Sequence, residues 1–202
     1  MVDVCIKKLK ENVNIPYDLL FLADDSKEAI EDYIKRGTCY GAYIGHEIIG
    51  IYVLLKTRPF TMELVNIAVK KQCQNKGIGK KMVLDAITKS RLKNAKILEV
   101  CTGNCGISQI ALYQKCGFRI TGIDRDYFKQ HYEEKIIENG IECMDMVRLS
   151  INLIIAWIKI TMIAVTGATG HIGNVLVRKL VARGETVRAI VPHLKTSNLL
   201  MD

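Results

Sequence analysis

Between Met62 and Met82 the chain changes character twice. Met62-Glu63-Leu64-Val65-Asn66-Ile67-Ala68-Val69 has the composition of a strand. Lys70 to Gly79 is polar and glycine-bearing, and Met82, Val83, Ala86 and Ile87 then recur at helical spacing. The order predicts a strand, a turn and the N-terminus of a helix over about 77–92. The first amides of a helix have no partner inside it and carry the positive end of its dipole, so such a junction accepts a phosphate. Gly77 and Gly79 let the backbone curl and approach a ligand without a Cβ in the way. Lys76, Lys80 and Lys81 gather positive charge around the same point.

The remaining composition narrows the class. At 202 residues the chain fits one domain, or one domain with an appendage, and 49% hydrophobic with 25% charged residues argues against dominant disorder. The net charge of +8 is dispersed and no motif that reads nucleic acid accompanies it, so a polyanionic small ligand suits it better than RNA or DNA. Met1 to Lys8 lacks the uninterrupted apolar stretch of a signal peptide, and no membrane partner is expected. The expectation is a cytoplasmic protein. Cysteines 5, 39, 73, 101, 105, 116 and 143 lack the spacing of a zinc site and are expected to be reduced small hydrophobes.

Taken in order, residues 2–9 read as a strand and 16–23 as a helix opened by Pro16. Asp25 with Glu28 forms a capping-box pattern ahead of Ala29, Ile30, Tyr33 and Ile34 on one helical face, ended by Gly37. Residues 39–44 and 48–55 form a hairpin on Gly45-His46-Glu47, with His46 facing solvent. After the 62–92 unit come a strand at 96–101, a helix at 107–115, a strand from Phe118, a polar stretch over 124–140 and a strand at 142–149. Spacing alone defines only α/β or α+β.

Two motifs say more. Gln74-x-x-Gly77-x-Gly79 after a strand, and Tyr113-x-x-x-Gly117-Phe118 further on, resemble the acyl-CoA loop and the helix-to-strand turn of the GCN5-related N-acetyltransferase (GNAT) superfamily. The resemblance covers about residues 1–149. It implies the GNAT acyl-CoA N-acyltransferase fold, a mixed, curved α/β (α+β) sheet flanked by helices, with acetyl-CoA as co-substrate. It places the pyrophosphate on Gln74, Asn75, Lys76, Gly77, Ile78, Gly79 and Lys80, and takes an oxyanion-binding amide from the strand around Ile67, Ala68 and Val69. Many members carry asparagine seven residues before the tyrosine, where this chain has Gly106. Asn104 is the nearest asparagine and is the residue assigned to the pantetheine arm.

N-acetylation needs an amine lone pair, and a free alkylamine with a pKa of about 10.4 is mostly protonated near neutrality. Glu63, by its resemblance to the base of histone-acetylating members, would remove that proton. Alternation would set it on one face with Val65, Ile67 and Val69. A water chain is the other reading. Tyr113 resembles the family's general acid, which protonates the departing thiolate. The implied reaction is direct attack by a primary amine of a small molecule or protein in a ternary complex. Asp124, Asp126, Glu133 and Glu134 either attract a cationic acceptor or form an exposed acidic loop. A non-catalytic acyl-CoA sensor is the rival function, and a homodimer is left open.

Composition shifts after Ser150. An apolar junction over 151–161, too short to span a bilayer, leads to Met162-Ile163-Ala164-Val165-Thr166-Gly167-Ala168-Thr169-Gly170-His171-Ile172-Gly173. Gly167, Gly170 and Gly173 followed by a helix and a strand resemble the first βαβ unit of short-chain dehydrogenase/reductase-like proteins, a partial Rossmann appendage over 162–202. The rest of such a domain does not follow. Neither NAD(P) binding nor reductase activity is expected of it, and a dinucleotide module that regulates the first domain is the minor alternative.

Overall fold

The structure is a computed structural model that describes residues 4–9, 15–132, 134–154, 162–183 and 186–190. Two compact units divide the chain, residues 1–154 and 155–202.

In the first unit, strand β1 (Cys5–Lys8) precedes two short helices, α1 (Tyr17–Leu20) and α2 (Lys27–Arg36). Strands β2 (Thr38–Ile44), β3 (Glu47–Arg58) and β4 (Thr61–Val69) follow as an antiparallel meander. Helix α3 (Ile78–Leu92), β5 (Ile97–Gly103), α4 (Ile107–Lys115), β6 (Arg119–Asp124), α5 (Tyr127–His131), a small hairpin β7 (Ile137–Glu138) and β8 (Ile141–Glu142), and β9 (Met146–Asn152) complete the unit. The seven-stranded sheet runs β1-β2-β3-β4-β5-β9-β6, and only β4 and β5 pair in parallel.

Two cores sandwich the sheet. Tyr52 and Leu54 of β3 join Met82, Val83, Ala86 and Ile87 of α3 and Tyr113 of α4 on one face. Ile51, Val53 and Leu55 pack against Leu19, Leu20, Ile30 and Tyr33 of α1 and α2 on the other. Because β3 is covered on both faces, its apolar run Ile48–Leu55 does not alternate with polar residues. The Tyr52 hydroxyl donates to Asp85 Oδ2 at 2.5 Å, which ties α3 to the sheet.

Several expectations are corrected. The cap of α2 is Ser26, whose Oγ accepts from the Ala29 N–H at 3.2 Å, rather than Asp25. Asp24 supports it by accepting the Ser26 N–H. Helix α5 and the β7–β8 hairpin arise inside the stretch read as polar loop. Strand β9 runs on to Asn152, and Leu153 is buried in the core, so the first unit extends past the expected boundary at 150. Cys105 and Cys143, expected to be reduced, are joined by a disulfide with their Cα atoms 5.1 Å apart, within the normal span for such a bond. It links the loop before α4 to the segment before β9.

The second unit is β10 (Met162–Thr166), α6 (His171–Ala182) and β11 (Thr186–Ile190), with β10 and β11 parallel. Gly167 turns the chain with φ +68°, and a Cβ on Gly173 would lie 2.1 Å from the Gly167 carbonyl oxygen, so only glycine fits that approach. The remainder of the apolar junction, residues 155–161, lies outside the described residues, as does Glu133.

Asn66 carries much of the contact between β4 and the helices on its second face. Its Nδ2 donates to the Leu20 carbonyl at 3.1 Å and to the Tyr33 hydroxyl at 2.9 Å, all in the interior. Asn66→Leu strands both acceptors, and stability should fall by about 1–3 kcal/mol, the cost of leaving buried polar groups unpaired. Urea unfolding monitored by circular dichroism checks this, with an unchanged midpoint as the contrary result.

Candidate functional site

The site begins where the sheet opens. Strands β4 and β5 pair only over Thr61–Glu63 and Ile97–Glu99. Past Glu63, β4 keeps its bonds to β3, while β5 keeps its bonds to β9 through Gly103. A bulge accompanies the separation. Val53 pairs with Asn66 but Leu54 pairs with Leu64, so Val65 is an extra residue, and an extra residue bends its strand. The bulge also reverses alternation. Val65 joins the α1–α2 core, whereas Ile67 and Val69 pack towards α3 and α4. The expectation that Glu63, Val65, Ile67 and Val69 share one face is therefore corrected.

Beyond the bulge, the Lys70 N–H donates to the Ile49 carbonyl at 2.9 Å. Antiparallel bonding alternates, so the backbone groups of Ala68 face β3 and those of Ile67 and Val69 face the open edge. That separates Ala68 from the other two as a ligand-facing amide. The Gln74 Nε2 caps the Val69 carbonyl at 3.0 Å, and the Lys76 Nζ donates to the Gln72 carbonyl at 2.9 Å. Both side chains brace the loop rather than point outward as ligands. Asn75 and Gly77 both take the left-handed conformation, φ +60° and +77°, and turn the chain into α3. Gly77 offers no side-chain cap, so the amides of Ile78, Gly79 and Lys80 have no acceptor within the helix. From Lys71 on, the loop is exposed apart from the anchoring Ile78 side chain and the half-buried Cys73 and Gly79. Leu112, in the second half of α4, lies 3.6 Å from where a Gly79 Cβ would stand, so α4 adjoins the start of α3 there.

Glu63 lies beside the last pair of the joined strands, opposite Glu99. Burial, then the like charge of Glu99, raises its carboxyl above the usual range; Arg148, a hydrogen bond with Cys101, and Arg58 oppose the shift. Arg58 pairs with Glu99 and Arg148 pairs with Asp124. The Cys101 thiol is pushed up to about 12 by burial and then by Glu63, so it stays protonated and donates near neutrality. Sequence reasoning passed over Cys101 and Arg148. The alternation Glu99, Cys101 on β5 is visible in the chain, but their register against Arg148 on β9 is not.

Tyr113 is buried, 4% exposed, with its ring 5.9 Å from that of Phe118. Burial, then Cys101 and Cys116, raises its phenol above the ordinary tyrosine value. Cys101 thus hydrogen-bonds Glu63 and bears electrostatically on Tyr113. Asn104 is placed differently from expectation. Its Oδ1 accepts from the Met144 and Asp145 N–H groups at 2.8 and 2.9 Å, and its Nδ2 donates to the Glu142 carbonyl at 3.1 Å. It staples the loop before α4 to the approach of β9. Of the acids expected either to attract a cationic acceptor or to form an exposed loop, Asp124 pairs with Arg148 and Asp126 with Lys129. Among the described residues no group of three or more His, Cys, Asp or Glu could hold a metal, and no helix is long and apolar enough to cross a membrane.

A split mixed sheet with a glycine loop and an open helix N-terminus at the mouth of the split is an acyltransferase arrangement, and the comparisons agree. The acetyltransferase (GNAT) family model matches residues 8–118, and the chain belongs to that family. It is 58% identical over 137 residues to the uncharacterized N-acetyltransferase YvbK of Bacillus subtilis strain 168, covering 68% of this chain and 88% of that protein. The crystal structure of a Bacillus subtilis acetyltransferase in complex with CoA has TM-score 0.72 and 54% identity, over 74% of this chain and 99% of that one. A GNAT family acetyltransferase from Elizabethkingia anophelis with acetyl-CoA bound has TM-score 0.72 and 47% identity, over 74% and 97%.

The raised carboxyl of Glu63 has a consequence for stability. A group whose folded pKa lies above its unfolded value stabilises the fold when protonated, and that contribution is lost as pH rises through the folded pKa. Glu63→Gln should therefore raise the thermal midpoint relative to the parent at pH 8 and lose that advantage below pH 4. A midpoint difference that does not change between those pH values would show that Glu63 is not held in a desolvating site.

Proposed function

We propose that the protein transfers the acetyl group of acetyl-CoA to a primary amine of a small molecule or peptide, by direct attack in a ternary complex. The observation that carries this reading is the gap between β4 and β5, with the Gln74–Lys80 loop at its mouth and Glu63 where the strands part. The two relatives crystallised with CoA and acetyl-CoA support the co-substrate.

In this reading the amides of Ile78, Gly79 and Lys80 receive the pyrophosphate, helped by the positive end of α3. Asn75 and Gly77 shape the turn, and the Gln74 and Lys76 side chains hold it. The open-edge backbone of Ile67 and the Val69 N–H pair with the amides of the pantetheine arm, as a strand edge does with an added strand. A fixed N–H on that edge stabilises the oxyanion of the tetrahedral intermediate. Glu63, with its carboxyl raised towards neutrality, takes a proton from the amine directly or through water. Tyr113, kept protonated by burial, gives its proton to the CoA sulfur as the C–S bond breaks.

Release of free thiol from acetyl-CoA across a panel of primary amines tests the whole reading. Turnover should appear with at least one amine, and Tyr113→Phe should cut kcat by about 10²–10⁴-fold, the scale of a general acid, while CoA binding stays as in the parent. Tight CoA binding with no turnover for any amine would favour the sensor instead.

For the second unit we propose a dinucleotide-type βαβ element, on the parallel β10–α6–β11 pairing and the Gly167–Gly173 contact. Among the described residues its strands form a sheet of two, less than a dinucleotide crevice needs. NADPH titrated into the full chain should leave the proteolysis of residues 162–202 unchanged; protection would mean that the element binds.

A further inference from the structure

A second cavity, of about 400 Å³, opens where α2 and α3 end, lined by β3 and β4 at the turn that joins them. Arg36, Lys56 and Lys93 line it together with Thr38, Leu54, Phe60 and Met62, and none of the described residues around it is acidic. Two of the cations have a local reason to be there. Arg36 ends α2 and Lys93 caps α3, where helix dipoles favour positive charge, and Arg36 is also paired with Asp32. Lys56 has no such reason. It projects from β3 without an acidic partner among the described residues. The Lys93 Nζ donates only to the Thr38 hydroxyl, at 3.1 Å. Burial, then the like charge of Lys8, holds that ammonium below the usual lysine range.

The apolar rim is equally unusual. Pro59 and Phe60 form the two-residue turn between β3 and β4, and Phe60 takes φ +59°. A bulky side chain is rare in that conformation, which glycine would adopt without strain. The turn is kept because the Phe60 carbonyl accepts from the Lys96 N–H at 2.7 Å and from the Ile97 N–H at 3.2 Å. Its ring is nonetheless 57% exposed, with the Lys96 ammonium 4.4 Å from the centroid. A strained turn therefore holds an aromatic ring at the edge of a cationic cavity without burying it.

We propose that this cavity binds a small organic anion, its apolar body against Pro59 and the Phe60 ring and its carboxylate or phosphate held by Lys56 and Lys93. Such a ligand would neutralise the Lys56 and Lys93 charges, which no carboxylate among the described residues pairs, and cover the exposed ring. The site lies among residues that the acetyl-transfer reading does not use.

Calorimetric titration of the full chain with benzoate, phenyl phosphate and benzyltrimethylammonium tests it. One or both anions should bind and the cation should not, and the stronger of the two identifies the headgroup. Lys56→Gln and Lys93→Gln should each weaken the anion about tenfold, the effect of losing one charge-assisted hydrogen bond. Phe60→Gly suits the left-handed turn, so it should fold and still weaken binding by removing the ring. CoA affinity should be unchanged in all three variants. Equal binding of the cation, no saturable anion binding, parent-like binding in all three variants, or displacement of the anion by CoA would each overturn the proposal.

Discussion

Two parallel strands that stop pairing after three residues are the constraint on which this molecule depends. Hydrogen bonding between β4 and β5 ends at Glu63 and Glu99, although both strands continue. Each is held by its other neighbour, β4 by β3 and β5 by β9, so neither can swing back without breaking a longer ladder. The Val65 bulge bends β4 at the point of parting. Unpaired edges are ordinarily a liability in a sheet. Here they face each other across a gap inside the sheet.

The same divergence organises the charge. Glu63 sits where the paired region ends, close to Glu99 and Cys101, and it is desolvated because strands flank it on both sides. Arg58 and Arg148 are near enough to temper the shift, but each is already paired with another carboxylate, Glu99 or Asp124. A carboxylate left part-compensated is poor for stability and suited to proton transfer. The opposite arrangement holds at the mouth, where α3 presents amides without acceptors and carries no acidic residue in its first turn.

Much of this was legible from residues in order. The strand at 61–69, the loop, the helix from Ile78 and the helix Ile107–Lys115 all fall within a residue or two of expectation, because each carries its own signal: a β-rich run, glycines, an apolar helical stripe. The Tyr113 to Phe118 register is equally local. Helix α5 and the β7–β8 hairpin were missed because their short segments carry too little periodicity to stand out from a polar loop. The structural role of Asn104 was not legible, because its side-chain partners, Met144, Asp145 and Glu142, lie about forty residues away in the chain. Nothing near Asn104 announces them.

What the sequence determined by itself was therefore the set of local devices: a glycine-bearing loop running into a helix start, a helical tyrosine ahead of a glycine turn, and a βαβ element at 162–190. What only the tertiary structure decided was which groups meet. The bulge at Val65 reversed the faces of β4, the register of β9 on β5 set Arg148 beside Cys101 and Glu63, and chain folding closed the Cys105–Cys143 pair. The physical reason is that helix starts and turns are governed by neighbours within a few residues, whereas strand register and disulfide pairing are settled by contacts between segments distant in the chain.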